Sequence, residues 1–94
     1  MDRSFRALAD PVRRALIEEL SDRNDQSLYE LCGRLLTGRG LTITRQAISK
    51  HIAVLVDAGV VTVTTSGRST IHHLNPGALT IARDWIDDIT RETP

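Results

Sequence analysis

A mainly α-helical fold with one small β-hairpin near its end is predicted by three features of this 94-residue sequence. Apolar residues recur every three to four positions through most of the chain, the period of helices packed on a shared core. Residues 61–74 switch to period two, with β-branched residues on both sides of a glycine-containing turn. Residues suited to helix N-caps stand just ahead of the apolar runs. The length fits one small domain, residues 1–94, and the pattern gives the order α-α-α-α-β-β-α.

Residues 2–9 form a short first helix with Phe5 and Leu8 on one face. Asp10-Pro11 ends it and opens the next, Asp10 as N-cap and Pro11 at the first helical position. In the second helix Val12, Leu16 and Leu20 are spaced by four with Ile17 beside them, and Arg14 to Glu18 is an i,i+4 ion pair. Ser21 to Gln26 reads as a polar loop. Ser27 and Glu30 make a capping box for a third helix with the stripe Leu28, Leu31, Cys32, Leu35 and Leu36. Thr37-Gly38-Arg39-Gly40 breaks it, and about seven residues lead to the fourth helix, capped by Thr42 or Thr44.

The fourth helix is the most informative stretch. Ile48, Ile52, Leu55 and Val56 fall on one side; Arg45, Gln46, Ser49, Lys50 and Asp57 fall on the other. Gly59 suits the left-handed residue just past its end. Val61 to Thr65 is a strand, Ser66-Gly67-Arg68 a turn, and Ser69 to Leu74 the return strand. Asn75-Pro76 repeats the Asp-Pro capping device. It opens a last helix with Leu79, Ala82, Ile86 and Ile89 in one ridge and Ile81 and Trp85 in another. That face is wider than docking one short terminal helix requires, which points to contact with another subunit.

Composition narrows the function classes. The single cysteine, Cys32, permits no intramolecular disulfide. No apolar run approaches a membrane span and no signal-peptide core is visible, so a cytoplasmic protein without a membrane partner is expected. No nucleophile–base set, phosphate loop or paired catalytic carboxylate appears, so no enzyme is expected. The net charge of zero is unevenly placed. Residues 34–73 hold Arg34, Arg39, Arg45, Lys50 and Arg68 against Asp57, a net +4, and each flank is −2. A basic middle between acidic ends fits a localised phosphate-binding face.

A helix-turn-helix followed directly by a hairpin is the winged-helix arrangement, whose second helix enters the major groove while the hairpin tip reaches the backbone. At this point the sequence resembles the ArsR-type winged-helix repressors. FRALADPVRRALIEEL is similar to that family's opening block, TRQAISKHIAVLVDAGVV to its recognition-helix block, and SGRSTIHHLNPGAL to its wing and the start of its closing helix. The resemblance implies a homodimer that binds double-stranded DNA at a palindromic operator and represses transcription. It joins the two copies through the first and last helices, which places Phe5, Leu8, Leu79, Ala82, Trp85, Ile86 and Ile89 at the interface.

Carried over by position, the DNA contacts fall on Arg45, Gln46, Ser49, Lys50 and His51, and in the wing on Arg68 with Ser66 and Ser69 beside it. Gln46 suits a base edge and Arg45 a guanine or a phosphate. Ser49, Lys50 and Arg68 suit phosphate oxygens. His51 flanks the apolar side, where packing and phosphate contact are both open to it. The paired thiols and closing-helix histidines of metal-sensing relatives are missing, so no metal and no cofactor is expected. His72 and His73, adjacent on a strand, point to opposite faces and cannot chelate together. The competing reading is a winged-helix interaction module that dimerises or docks a protein without reading DNA.

Overall fold

The computed structural model describes residues 2–91. Its order is α1 (Asp2–Leu8), α2 (Pro11–Asp22), β1 (Gln26–Ser27), α3 (Leu28–Gly33), α4 (Arg45–Asp57), β2 (Val61–Ser66), β3 (Ser69–Leu74) and α5 (Thr80–Thr90). A π-helical turn, Arg34–Gly38, extends α3, and a 3-10 turn, Pro76–Leu79, precedes α5. The expected helices and hairpin are all present.

The first corner is built by Asp10, whose Oδ2 accepts from the Val12 and Arg13 amides at 2.8 and 3.2 Å. Two arginines of α2 then reach back to the carbonyls at the end of α1. Arg13 donates to the Arg6 and Ala7 carbonyls at 2.7 and 3.2 Å, and Arg14 to that of Leu8 at 2.6 Å. Arg14 is therefore turned away from Glu18, and the expected Arg14–Glu18 pair does not form; Glu18 meets Arg39 instead, at 3.3 Å.

The stretch read as a polar loop is shorter than expected. α2 runs on to Asp22, and Gln26-Ser27 form a two-residue strand. β1 pairs antiparallel with β3, Gln26 opposite His72 and Ser27 opposite Ile71, so the sheet has three strands in the order β1-β3-β2. Gln26 is fully buried, and its Nε2 donates to the Glu19 and Arg23 carbonyls at the end of α2, at 3.1 and 2.5 Å.

The Ser27–Glu30 capping box forms with both bonds at 3.2 Å. Cys32 is buried, as its stripe required. The long link after Gly38 is not loose: Leu41 and Ile43 pack against the core, and Arg39 ties it to Glu18 and Glu19. Thr44 is the cap of α4, accepting from the Ala47 amide at 3.1 Å. Ile48, Ile52 and Leu55 are buried, whereas Val56 lies at the edge of the apolar face and is 38% exposed. The core is aliphatic, centred on Leu16, Leu20, Leu31, Leu35, Ile48, Leu55, Val60 and Val61.

The helix closes in a left-handed turn at Gly59 (φ +73°), with Gly59 N–H bonded to the Val56 carbonyl and Val60 N–H to that of Leu55. Asn75 does not repeat the cap of Asp10. Its backbone N–H donates to the Val60 carbonyl at 2.8 Å and its Nδ2 to that of Gly59 at 2.9 Å. The residue fastens the end of the wing to the end of α4, and the chain takes a 3-10 turn before α5 begins at Thr80.

Candidate nucleic-acid interface

Two elements present the expected residues on one part of the surface. Thr44 starts α4 so that Arg45, Gln46, Ser49 and Lys50 stand exposed, opposite the buried Ile48, Ile52 and Leu55. The wing turns through two residues, Gly67 (φ +61°) and Arg68, between the paired Ser66 and Ser69. The hairpin extends well past the core: of β2 only Val61 is buried, and Val63, on the same face, is 45% exposed.

The electrostatics are narrower than the sequence suggested. Arg34 bridges Glu19 and Asp22 at 3.5 and 3.3 Å, and Arg39 is held by Glu18 and Glu19. Two of the five cations in the basic middle are thus spent on α2. Among the described residues, the cationic side chains without any ion pair or hydrogen bond are Arg6, Arg45, Lys50 and Arg68. Three of these four lie on α4 and the wing tip, where their full charge faces solvent.

His51 is placed differently from the other five expected residues. Its Nδ1 lies 3.1 Å from Arg13 NH1 and 3.7 Å from Asp10 Oδ2. A guanidinium can only donate, so Nδ1 accepts and the ring is turned inward, onto the α1–α2 corner. Burial works to raise the Asp10 pKa, but the Arg13 and Val12 amides and the nearby Arg13 guanidinium hold its carboxyl below the usual value.

Between α4 and the wing lies a cleft of about 420 Å³ that brings Ser49 and Arg68 together with Ser27, Ser69, Thr70 and His72. The two neighbouring histidines do diverge. His72 turns inward and is 6% exposed, its Nδ1 3.0 Å from the Gln26 carbonyl. On the outer face, His73 Nδ1 lies 2.5 Å from Asp25 Oδ1 and its Nε2 2.7 Å from Thr64 Oγ1. Among the described residues no group of three or more His, Cys, Asp or Glu side chains is placed to hold a metal ion.

Tyr29 is missing from the sequence-based set. It stands on α3, 79% exposed, across a shallow groove from Arg45. The available signal was a large aromatic lying off its helix's apolar stripe, in a chain with only three aromatics.

Elsewhere on the surface α1 and α5 pack together. Phe5 and Trp85 meet edge to face at 5.3 Å between centroids, and Ser4 Oγ donates to the Ala78 carbonyl at 3.0 Å. Ala82, expected at a subunit interface, is 1% exposed and already spent inside the chain. Leu8, Leu79 and Ile86 line an open groove, and Ile81, Trp85, Ile86 and Ile89 are all exposed. No described helix is long and apolar enough to cross a membrane.

Comparison with known proteins agrees with this architecture. Residues 8–64 match a family described as a helix-turn-helix domain. The HTH-type transcriptional regulator YuzN of Bacillus subtilis is 46% identical over 87 residues, covering 92% of this chain and 95% of that protein. The HTH-type transcriptional regulator Rv2034 of Mycobacterium tuberculosis is 34% identical over 86 residues, covering 92% and 74%. Among solved structures, an ArsR-like transcriptional regulator from Rhodococcus sp. RHA1 superposes with a TM-score of 0.78 at 31% identity, over 94% of this chain and 74% of that one.

Proposed function

The chain belongs to the ArsR-type winged helix-turn-helix transcriptional regulators, a DNA-binding and non-enzymatic family, and from that premise we propose a cytoplasmic homodimeric repressor of a palindromic operator. The observation that carries the DNA face is the grouping of Arg45, Lys50 and Arg68, uncommitted to any carboxylate, on the two elements that flank one groove. Gln46 reads a base edge from the first turn of α4, and Arg45 meets a guanine or a phosphate. Ser49, Lys50 and Arg68 hold phosphates and set the register, and Tyr29 adds a hydroxyl to the backbone contacts on the α3 side. His51 acts from behind, bracing α4 against Arg13. The subunit contact is made by the exposed ridge of α5, Ile81, Trp85, Ile86 and Ile89, continued by Leu8 and Leu79, with Phe5 supporting Trp85 from beneath.

Gel-shift titration over salt, with fragments selected from sheared genomic DNA, tests the reading. Affinity should fall steeply with salt, and Arg68→Ala or Lys50→Ala should each reduce the log–log slope by about one. Gln46→Ala should relax discrimination at one base pair by about 1–3 kcal/mol. Equal, weak binding to every duplex, indifferent to Gln46→Ala, would overturn sequence-specific recognition in favour of a protein-docking role.

A further inference from the structure

His72 is nearly buried at the inner end of the cleft between α4 and the wing, and the DNA contacts named above make no use of it. Its Nδ1 lies 3.0 Å from the Gln26 carbonyl, which can only accept, so Nδ1 carries a hydrogen. In the neutral ring Nε2 is then a bare lone pair. It has no partner among the described residues and is not sealed from solvent, and His72 is one of the residues that line the cleft. The same cleft is lined by Ser49 of α4, Thr70 on the His72 face of β3, the apolar Leu28 and Ile52, and, toward the wing tip, Ser69 and Arg68. Among the described residues no carboxylate lines the cleft.

We propose that this cleft seats one phosphate of the DNA backbone, with His72 as its floor, and that the seat fills only when His72 takes up a proton. The inference rests on the DNA-binding reading above. A neutral His72 turns a lone pair toward the phosphate oxygens and repels them. A proton from solvent on Nε2 converts the same atom into a charged donor, while Nδ1 keeps its bond to Gln26. Phosphate binding and proton uptake are therefore one event, and DNA affinity rises as pH falls.

The surroundings leave this event to His72. On α2, Glu19 and Asp22 are committed to Arg34, and Arg23 to Glu30 of α3. On β3, His73 is bound to Asp25 on the outer face of the sheet. On α4, Lys50 is exposed and Asp57 pairs with Arg3. β2 carries no titratable side chain, and among the described residues Arg68 is the one charge on the cleft itself.

A backbone seat needs no particular base sequence, so a mixed-sequence duplex at low salt is the probe. The chain has three histidines, and nitrogen-15 shifts report each imidazole separately. Duplex should add a proton to His72, and affinity should weaken by up to about tenfold per pH unit for each seat over the pH interval in which the bound His72 signal loses that proton. His72→Asn keeps a donor for the Gln26 carbonyl but cannot be protonated at this site; it should flatten that dependence. A duplex that binds through Arg68 while His72 stays neutral overturns this inference and leaves the DNA-binding reading intact. Failure to bind any duplex at low salt overturns both. If inorganic phosphate protonates His72 and duplex does not, the seat belongs to a free anion and the backbone assignment falls.

Discussion

Asp10 shows how one side chain can serve two elements. It caps α2, and it sits behind the His51–Arg13 contact that braces α4. Asp10→Ala should cost about 0.5–2 kcal/mol in chemical denaturation, the usual range for a lost N-cap. The pKa of Asp10, and that of Glu30 through the Ser27 amide, lies below the ordinary value in the folded chain. The unfolded chain therefore binds more protons than the folded one as these groups titrate. Their contribution is complete above the ordinary carboxylate range, about pH 4, and is lost as pH falls through the lower folded values. Urea midpoints at neutral and acid pH should show this decline, with a smaller one in Asp10→Ala. The cap itself was legible because Asp-Pro is a local signal. Arg14 misled for the same reason: the i,i+4 rule sees only its own helix, while the carbonyls of α1 offered a nearer partner.

At the scale of elements, α4 was readable almost to the residue, from a sharp apolar period between a threonine cap and a glycine stop. Gly59 at φ +73° should make Gly59→Ala cost about 1–2 kcal/mol in a thermal melt, although a Cβ there meets no neighbour. The wing's strands were equally plain, but alternation shows only that a strand has two faces and not what covers them. Beyond Val61 most of β2 is bare. β1 left no trace in the sequence because two residues carry no period and their partner is 46 positions away. Charge was legible in amount and not in allocation: Arg34 and Arg39 looked free until α2 folded beside them. The grouping of Ser49 with His72 was invisible for a similar reason, since it depends on where the wing docks.

The whole molecule is elongated. Its extents are 54 × 28 × 21 Å and its radius of gyration 14.4 Å, against about 12 Å for a compact chain of this length. That shape gives a small chain much surface for its core, which a second copy on α5 would offset. Sizing should return about twice the 10.4 kDa chain mass, and Ile86→Asp should halve it. A monomer mass throughout the micromolar range would refute the subunit contact. The β1–β3 pairing also has a bearing on how fast the chain folds. The β2–β3 hairpin can zip within about 1–10 μs from neighbouring residues. Its seam with β1, together with the Leu74 amide bonded to Asn24 across 50 positions, must wait for a long loop to close. We expect docking of the wing to follow the rate-limiting barrier, a prediction that φ-values test. In a chevron plot Asn24→Ala should steepen nothing and leave the refolding limb in place, raising only the unfolding limb. The feature that fixes the wing in the finished molecule is thus the first to let it go.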